Sequence, residues 1–233
     1  MQLAIDIGNT AVKWGVFEGR TLLESGYGVP TELLQHARRV LLCASGEVPP
    51  VLAEVPHLNA AMPLPIRLDY KTPATLGPDR IAVACGAWSL HPGADTLVVD
   101  CGTCITLEFV SADGTYRGGA IMPGLGMNLQ ALHTFTAKLP LLDVATVQKA
   151  PVLGRSTEEC ILAGTLGAAQ MAIAAYVAAL KGIAPGLNVL VTGGDAERIV
   201  PPGANRREHE PHLTLIGLNE VMEYEKREMK NAK

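Results

Sequence analysis

The chain has 233 residues, 48% of them hydrophobic and 4% aromatic, with a formal net charge of -4. That length buries a core in one large domain or two small ones. No basic stripe marks a nucleic-acid surface, and five cysteines, an odd number, suit a reducing cytoplasm rather than a disulfide framework.

The chain opens into Leu3-Ala4-Ile5 with no basic segment before it, which reads as a strand rather than a signal peptide. Asp6-Ile7-Gly8-Asn9-Thr10 then makes a turn, Val12–Phe17 a second strand, and Glu18-Gly19-Arg20 a turn into a third. Thr31–Arg39 reads as a helix, Val40–Ala44 as a buried strand, Pro49–Val55 as a short helix and Ile66–Leu68 as a short strand. Gly77–Leu90 reads as a helix after a Pro-bearing turn. Leu97–Cys104 then repeats the opening: an apolar strand ends in Asp100-Cys101-Gly102-Thr103, a second strand covers Ile105–Val110, and Asp113-Gly114 turns into a third at Tyr116–Ile121. Helices follow at Gly124–Thr136 and Thr157–Lys181, a strand at Asn188–Thr192, a short helix from Asp195 and an amphipathic helix at Ile216–Lys230. The mixed-sign tail Glu223–Lys233 reads as a solvated helix end. Strands alternating with helices argue for α/β, and the echo argues for two duplicated domains divided near residue 95, at 1–95 and 96–233, with the last helix able to pack back on the first.

The segment Cys160–Leu180 is uncharged and long enough to cross a bilayer. Its alanines and glycines gain little from lipid, so it reads as a buried or interface helix that lets a second helix approach closely.

Two turns carry the candidate chemistry. A glycine just after a buried strand lets the backbone come close to a ligand, and small polar neighbours offer donors to phosphate oxygens. A carboxylate at the same strand end repels bare phosphate, so Asp6 implies Mg²⁺ between the two. Lys13 on the next strand adds a point charge. A plain hairpin with an Asx-turn at Asn9 explains one such turn, but two in register are harder to explain so. Val189-Leu190-Val191-Thr192-Gly193-Gly194 is a bare strand end against which an adenosine could pack. The other signals are blander. Cys101-Gly102-Thr103-Cys104 spells C-x-x-C, but β-branched Ile105 and Thr106 continue it as a strand, unlike a redox motif that opens a helix. His209-Glu210-Pro211-His212 reads as a polar loop, since proline forbids regular helix there.

Three nucleotide elements in this order resemble the acetate-and-sugar-kinase, actin and heat-shock ATPase superfamily. The resemblance sharpens to the type III pantothenate kinase family at Asp6–Lys13, Tyr70, Gly77-Pro78-Asp79-Arg80, Asp100–Thr106, Gly118–Gly124 and Gly154-Arg155-Ser156-Thr157. It implies two ribonuclease-H-like domains with a nucleotide cleft between them and ATP-dependent phosphorylation of pantothenate. Asp79 is implied to be the general base. ATP is implied to be held by Asp6, Ile7, Gly8, Asn9, Thr10, Ala11, Val12, Lys13 and Thr103. Pantothenate is implied to be held by Tyr70, Gly77, Pro78, Asp79, Arg80 and Thr157. Asp100 is implied to bind K⁺ or NH₄⁺, and Asp6 to face Mg²⁺-ATP. The family further implies a cytoplasmic homodimer joined through the helix at 157–181, acting away from nucleic acid and membrane. A planar guanidinium at Arg80 suits the carboxylate of pantothenate. Taken alone, Asp79 also fits a helix N-cap. The family commonly has alanine where Cys104 stands. The competing readings are a kinase of another small hydroxy acid and a non-catalytic accessory protein of the same fold.

Overall fold

A computed structural model describes residues 1–199 and 207–231. The final residues of the tail read as a solvated helix end lie outside them.

The first strands form where the apolar alternation is strongest: β1 (Gln2–Ile7), β2 (Val12–Glu18), β3 (Thr21–Tyr27) and β4 (Arg39–Ala44) make a four-stranded sheet in the order β3-β2-β1-β4. β1 pairs antiparallel with β2 and parallel with β4. The helix before β4, α1 (Thr31–His36), stops short of the expected Arg39, because Arg39 is already paired opposite Gln2 on the sheet. The expected helix at Pro49–Val55 is a single 3₁₀ turn, Pro50–Leu52. Next come β5 (Arg67–Leu68) and α2 (Pro78–Leu90), which starts with proline at its first position, where a missing N–H costs nothing.

The second sheet contains β6 (Thr96–Cys101), β7 (Cys104–Val110), β8 (Thr115–Pro123), β9 (Asn188–Thr192) and β10 (Arg207–His209), in the order β10-β9-β6-β7-β8-β5. Helix α3 (Leu125–Thr134) follows β8. The expected long helix is one helical run: α4 (Thr157–Leu162), a π turn at Ala163–Gly167 and α5 (Ala168–Ile183). Thr157–Ile183 is long and apolar enough to span a membrane by length and composition, with 33% of its most apolar window buried. α6 (Ala196–Ile199) is short, and α7 (Leu213–Asn231) closes the described chain. His209 lies on β10, parallel to β9, rather than in the polar loop expected there. Its backbone is drawn into the sheet by pairing with Val191, which local sequence does not encode.

Two compact units emerge. One holds Met1–Thr96, Glu108–Gly118 and the chain from His212; the other holds Leu97–Leu107 and the described part of Gly119–Pro211. The first crossing falls beside residue 95, but the tip of the β7–β8 hairpin and α7 belong with the first unit.

In the first unit, side-chain alternation sorts the sheet into two faces. Leu3, Ile5, Ile7 and Leu42 join one apolar cluster, with Leu52. Ala4, Leu41 and Cys43 join another, with Ile81, Ala82, Ala84 and Cys85 of α2 and Leu215, Leu218, Val221 and Met222 of α7. By the same alternation Asp6 sits on the face of Ala4 and Cys43, the face covered by α2.

Candidate active site

The first phosphate-type turn is built by the β1–β2 ladder. Asp6 and Lys13 stand opposite each other in register, and the Gly8 N–H donates to the Ala11 carbonyl at 3.0 Å, closing the loop through Asn9 and Thr10. The loop after β4 packs on it. Ser45 and Gly46 N–H both donate to the Ile7 carbonyl, at 2.9 and 3.1 Å, and a Cβ on Gly46 would lie 2.4 Å from the Gly8 carbonyl oxygen. Only glycine fits there, a requirement the sequence reading missed.

The Asp6 carboxyl is held above its ordinary pKa by burial, an effect opposed by the Cys43 thiol and by Lys13 and reinforced by Asp79. The Cys43 Sγ donates to Asp6 Oδ1 at 3.4 Å. Cys43 itself is fully buried, and burial together with Asp6 pushes its thiol well up, so it is a hydrogen-bond donor rather than a nucleophile.

Asp79 lies in the first turn of α2, a favourable place for a negative side chain. It is not the N-cap: Gly77 is, with no side-chain capping bond. Asp79 Oδ1 accepts the Arg80 backbone N–H at 2.9 Å, and a Cβ on Gly77 would lie 2.5 Å from that oxygen. Asp79 and Asp6 are close enough for one charge to raise the other's pKa. A divalent cation held at Asp6 would relieve such repulsion, since Mg²⁺ can use a single carboxylate with phosphates and water.

Arg80, expected to offer its guanidinium to the pantothenate carboxylate, has one edge already engaged within the protein. Its Nε and Nη2 donate to the two oxygens of Glu108 at 2.7 and 2.9 Å, and Nη2 also donates to the Tyr116 hydroxyl at 2.9 Å. Burial disfavours its charge, but the bonds to Glu108 outweigh this and hold its pKa above the ordinary value. Tyr70 is half-buried beside this group, with its ring centre 5.8 Å from the guanidinium carbon. Gly118, at φ +90°, brings bare backbone up to the Tyr70 ring. Glu108, Tyr116 and Cys43 were not anticipated. The one available signal was a lone acid in the otherwise uncharged strand Cys104–Val110.

The second unit repeats the turn. Asp100 is the last residue but one of β6, and the Gly102 N–H donates to the Cys104 carbonyl at 3.0 Å, closing a turn one residue tighter than that from Gly8 to Ala11. Two glycines press on it. Gly193, at φ +93°, would place a Cβ 2.5 Å from the Cys101 carbonyl oxygen and 2.6 Å from Asp100 Oδ1; Gly124 would place one 2.3 Å from the Thr103 carbonyl oxygen. The Asp195 N–H donates to the Cys101 carbonyl at 2.9 Å. The bare end of β9 therefore abuts the turn, which accounts for Gly193, whereas a Cβ on Gly194 would meet open space. The C-x-x-C pair spans a strand-turn-strand, and burial, aided by Asp100 and Asp195, pushes the Cys101 thiol up to about 12. Thr157 is exposed at the first turn of α4, whose start is fixed by two bonds: the N-cap Ser156 Oγ accepts the Glu159 N–H, and the Glu159 carboxylate accepts the N–H of Arg155, the residue before the cap.

The profile of the type III pantothenate kinase family matches residues 29–179. The chain belongs to that family. It is 37% identical to the type III pantothenate kinase of Bacteroides fragilis, covering 96% of this chain and 98% of that one. Among solved structures it resembles one described as a Baf family transcriptional activator from Campylobacter jejuni, with a TM-score of 0.62, 19% identity, and 97% and 99% of the two chains covered. It also resembles the ROK hexokinase of Thermus thermophilus, with a TM-score of 0.54, 15% identity, and 97% and 99% covered. These likenesses show the fold, an α/β architecture of the actin-like ATPase and sugar-kinase type with two ribonuclease-H-like domains.

Proposed function

We propose that Asp79 is the general base of this enzyme, taking the proton of the pantothenate hydroxyl as that oxygen attacks the γ-phosphorus of ATP. The reaction is the family's: ATP-dependent phosphorylation of pantothenate to 4′-phosphopantothenate, the first step of coenzyme A biosynthesis, with Mg²⁺. The supporting observation is the placement of Asp79 at the head of α2, near Asp6 on the same sheet face.

Phosphoryl transfer asks a protein for alignment and charge neutralisation more than covalent help. The new bond joins the pantothenate oxygen to phosphorus, the bond to the ADP oxygen breaks, and the hydroxyl proton passes to the Asp79 carboxylate. The turn Ile7–Val12 offers backbone N–H groups to phosphate, and Lys13, opposite Asp6 on the ladder, supplies a positive charge. Thr103 serves the nucleotide from the second turn. When bound at Asp6, Mg²⁺ neutralises phosphate charge. Tyr70, Gly77, Pro78, Arg80 and Thr157 hold pantothenate. Asp100 takes a monovalent cation, K⁺ or NH₄⁺, at a turn already rich in carbonyl oxygens brought close by Gly193 and Gly124.

The enzyme works in the cytoplasm as a homodimer joined through the run Thr157–Ile183, apart from membranes and nucleic acid. Support comes from its small residues and from the exposure of Met171, Tyr176 and Ile183. The test is a coupled ADP-release assay with Mg²⁺, K⁺ and ATP, with and without pantothenate. ADP formed only with pantothenate, with 4′-phosphopantothenate seen by mass spectrometry, is the expected result. A folded protein with no turnover would overturn the reading.

A further inference from the structure

Glu108 is the one acid on β7 and is 0% exposed. Burying a carboxylate is costly unless every lone pair finds a partner. Here three hydrogen bonds, one to Oε1 and two to Oε2, hold it in a closed ring. Oε1 accepts Arg80 Nε at 2.7 Å; Oε2 accepts Arg80 Nη2 at 2.9 Å and the Tyr116 hydroxyl at 2.6 Å; and that hydroxyl accepts from Arg80 Nη2 at 2.9 Å. Tyr116 is also fully buried, and its ring centre lies 5.9 Å from that of Tyr70. The ring involves three elements distant in sequence: α2, β7 and β8.

A buried ion pair of this kind is a poor device for stability alone, since apolar side chains of similar volume hold a core as well. What it does supply is a fixed guanidinium. Arg80 has lost its rotamer freedom before any ligand arrives, so a ligand does not bear that entropy. Its Nε–Nη2 edge is committed, and Nη1 lies outside the three hydrogen bonds. Arg80 and Glu108 also cancel in charge, so a bound acid is met by a directed hydrogen bond more than by net attraction.

We propose that Glu108 and Tyr116 are positioning residues for substrate recognition: they grip the Arg80 guanidinium by its Nε–Nη2 edge and so aim Nη1 at the carboxylate of pantothenate. The inference rests on the reading of Arg80 as the residue that takes that carboxylate.

The experiment compares Glu108→Gln, Tyr116→Phe and Arg80→Lys with the parent, by steady-state kinetics and circular-dichroism melting. Two ligands are used: pantothenate, and pantothenol, which carries an alcohol in place of the carboxylate, as substrate or competitive inhibitor. Tyr116→Phe removes a single oxygen and is the variant that keeps the test alive if Glu108→Gln fails to fold. It is expected to raise the KM for pantothenate only ~3–10-fold, because both Glu108 bonds to Arg80 remain and the guanidinium loses only part of its hold. The KM for ATP and kcat should stay within about twofold, and the affinity for pantothenol should not change. A purely structural role would weaken both ligands alike, and that result overturns the proposal. If Arg80→Lys raises the KM for pantothenate while Tyr116→Phe leaves it alone, the positioning role fails and the Arg80 reading survives. If Arg80→Lys leaves it unchanged, both fail.

Discussion

Gly217→Ala is the sharpest test of how the first unit holds its site. Gly217 of α7 faces α2, and a Cβ there would lie 1.8 Å from the Ala82 carbonyl oxygen, 2.6 Å from its carbon and 3.0 Å from the Gly86 nitrogen. Ordinary contact between such atoms begins above 3 Å, so the two helices must separate by more than an ångström. The obstacle is backbone, so no side chain can rotate away. Overpacking of this kind costs ~1–3 kcal/mol and sometimes more, while alanine's helix propensity returns ~1 kcal/mol. Because the shift disturbs the whole α2–α7 seam, including Leu215, Leu218, Val221 and Met222, the cost lies at and just beyond the top of that range, ~3–4 kcal/mol, for a net loss of ~2–3 kcal/mol. For a chain of this size each kcal/mol moves Tm by ~2–4 °C, so a drop of ~4–12 °C is expected. Thermal melting by circular dichroism measures it. Ala82→Gly in the same chain should give no rescue, because the clash is with a carbonyl rather than a methyl. A Tm within 2 °C of the parent would refute the close helix crossing.

Asp79→Asn keeps shape and removes the proton acceptor, so kcat should fall ~10²–10⁴-fold with Tm little changed; turnover within twofold of the parent refutes the base assignment. Asp6→Asn should abolish activity yet raise Tm at pH 7. The raised Asp6 pKa means that its stabilising contribution is complete below the ordinary carboxyl value of 3.8 and is lost as pH rises through the folded-state value. The gain should therefore vanish as pH falls below 3.8, and a variant less stable than the parent at pH 7 would contradict the sign. Activity should be higher in K⁺ than in Na⁺ buffer, and Asp100→Ala should flatten that difference; equal parent rates in the two salts would count against a cation at Asp100.

The sequence by itself carried most of the local structure and the family. Apolar runs ending in Asp-x-Gly fixed the positions of β1, β2, β6 and β7 because strand periodicity and turn chemistry are short-range effects. Pro78 marked the start of α2 for the same reason. The motifs at Asp6–Lys13, Gly77–Arg80 and Asp100–Thr106 pointed to pantothenate kinase chemistry because each needs particular residue types at adjacent positions. Only the tertiary structure decided what those residues touch. Asp6 meets Cys43 because parallel pairing sets them side by side on one sheet face, and nothing near residue 6 encodes that. The need for glycine at 46, 193 and 217 arises from backbone of another segment, and so does the pairing that draws His209 into a strand. In sequence Arg80 read as a guanidinium for a carboxylate ligand, yet partners within the protein lie 28 and 36 residues away on β7 and β8. A buried charge takes whatever partner folding brings within reach, and that choice belongs to the packed chain, not to the order of its residues.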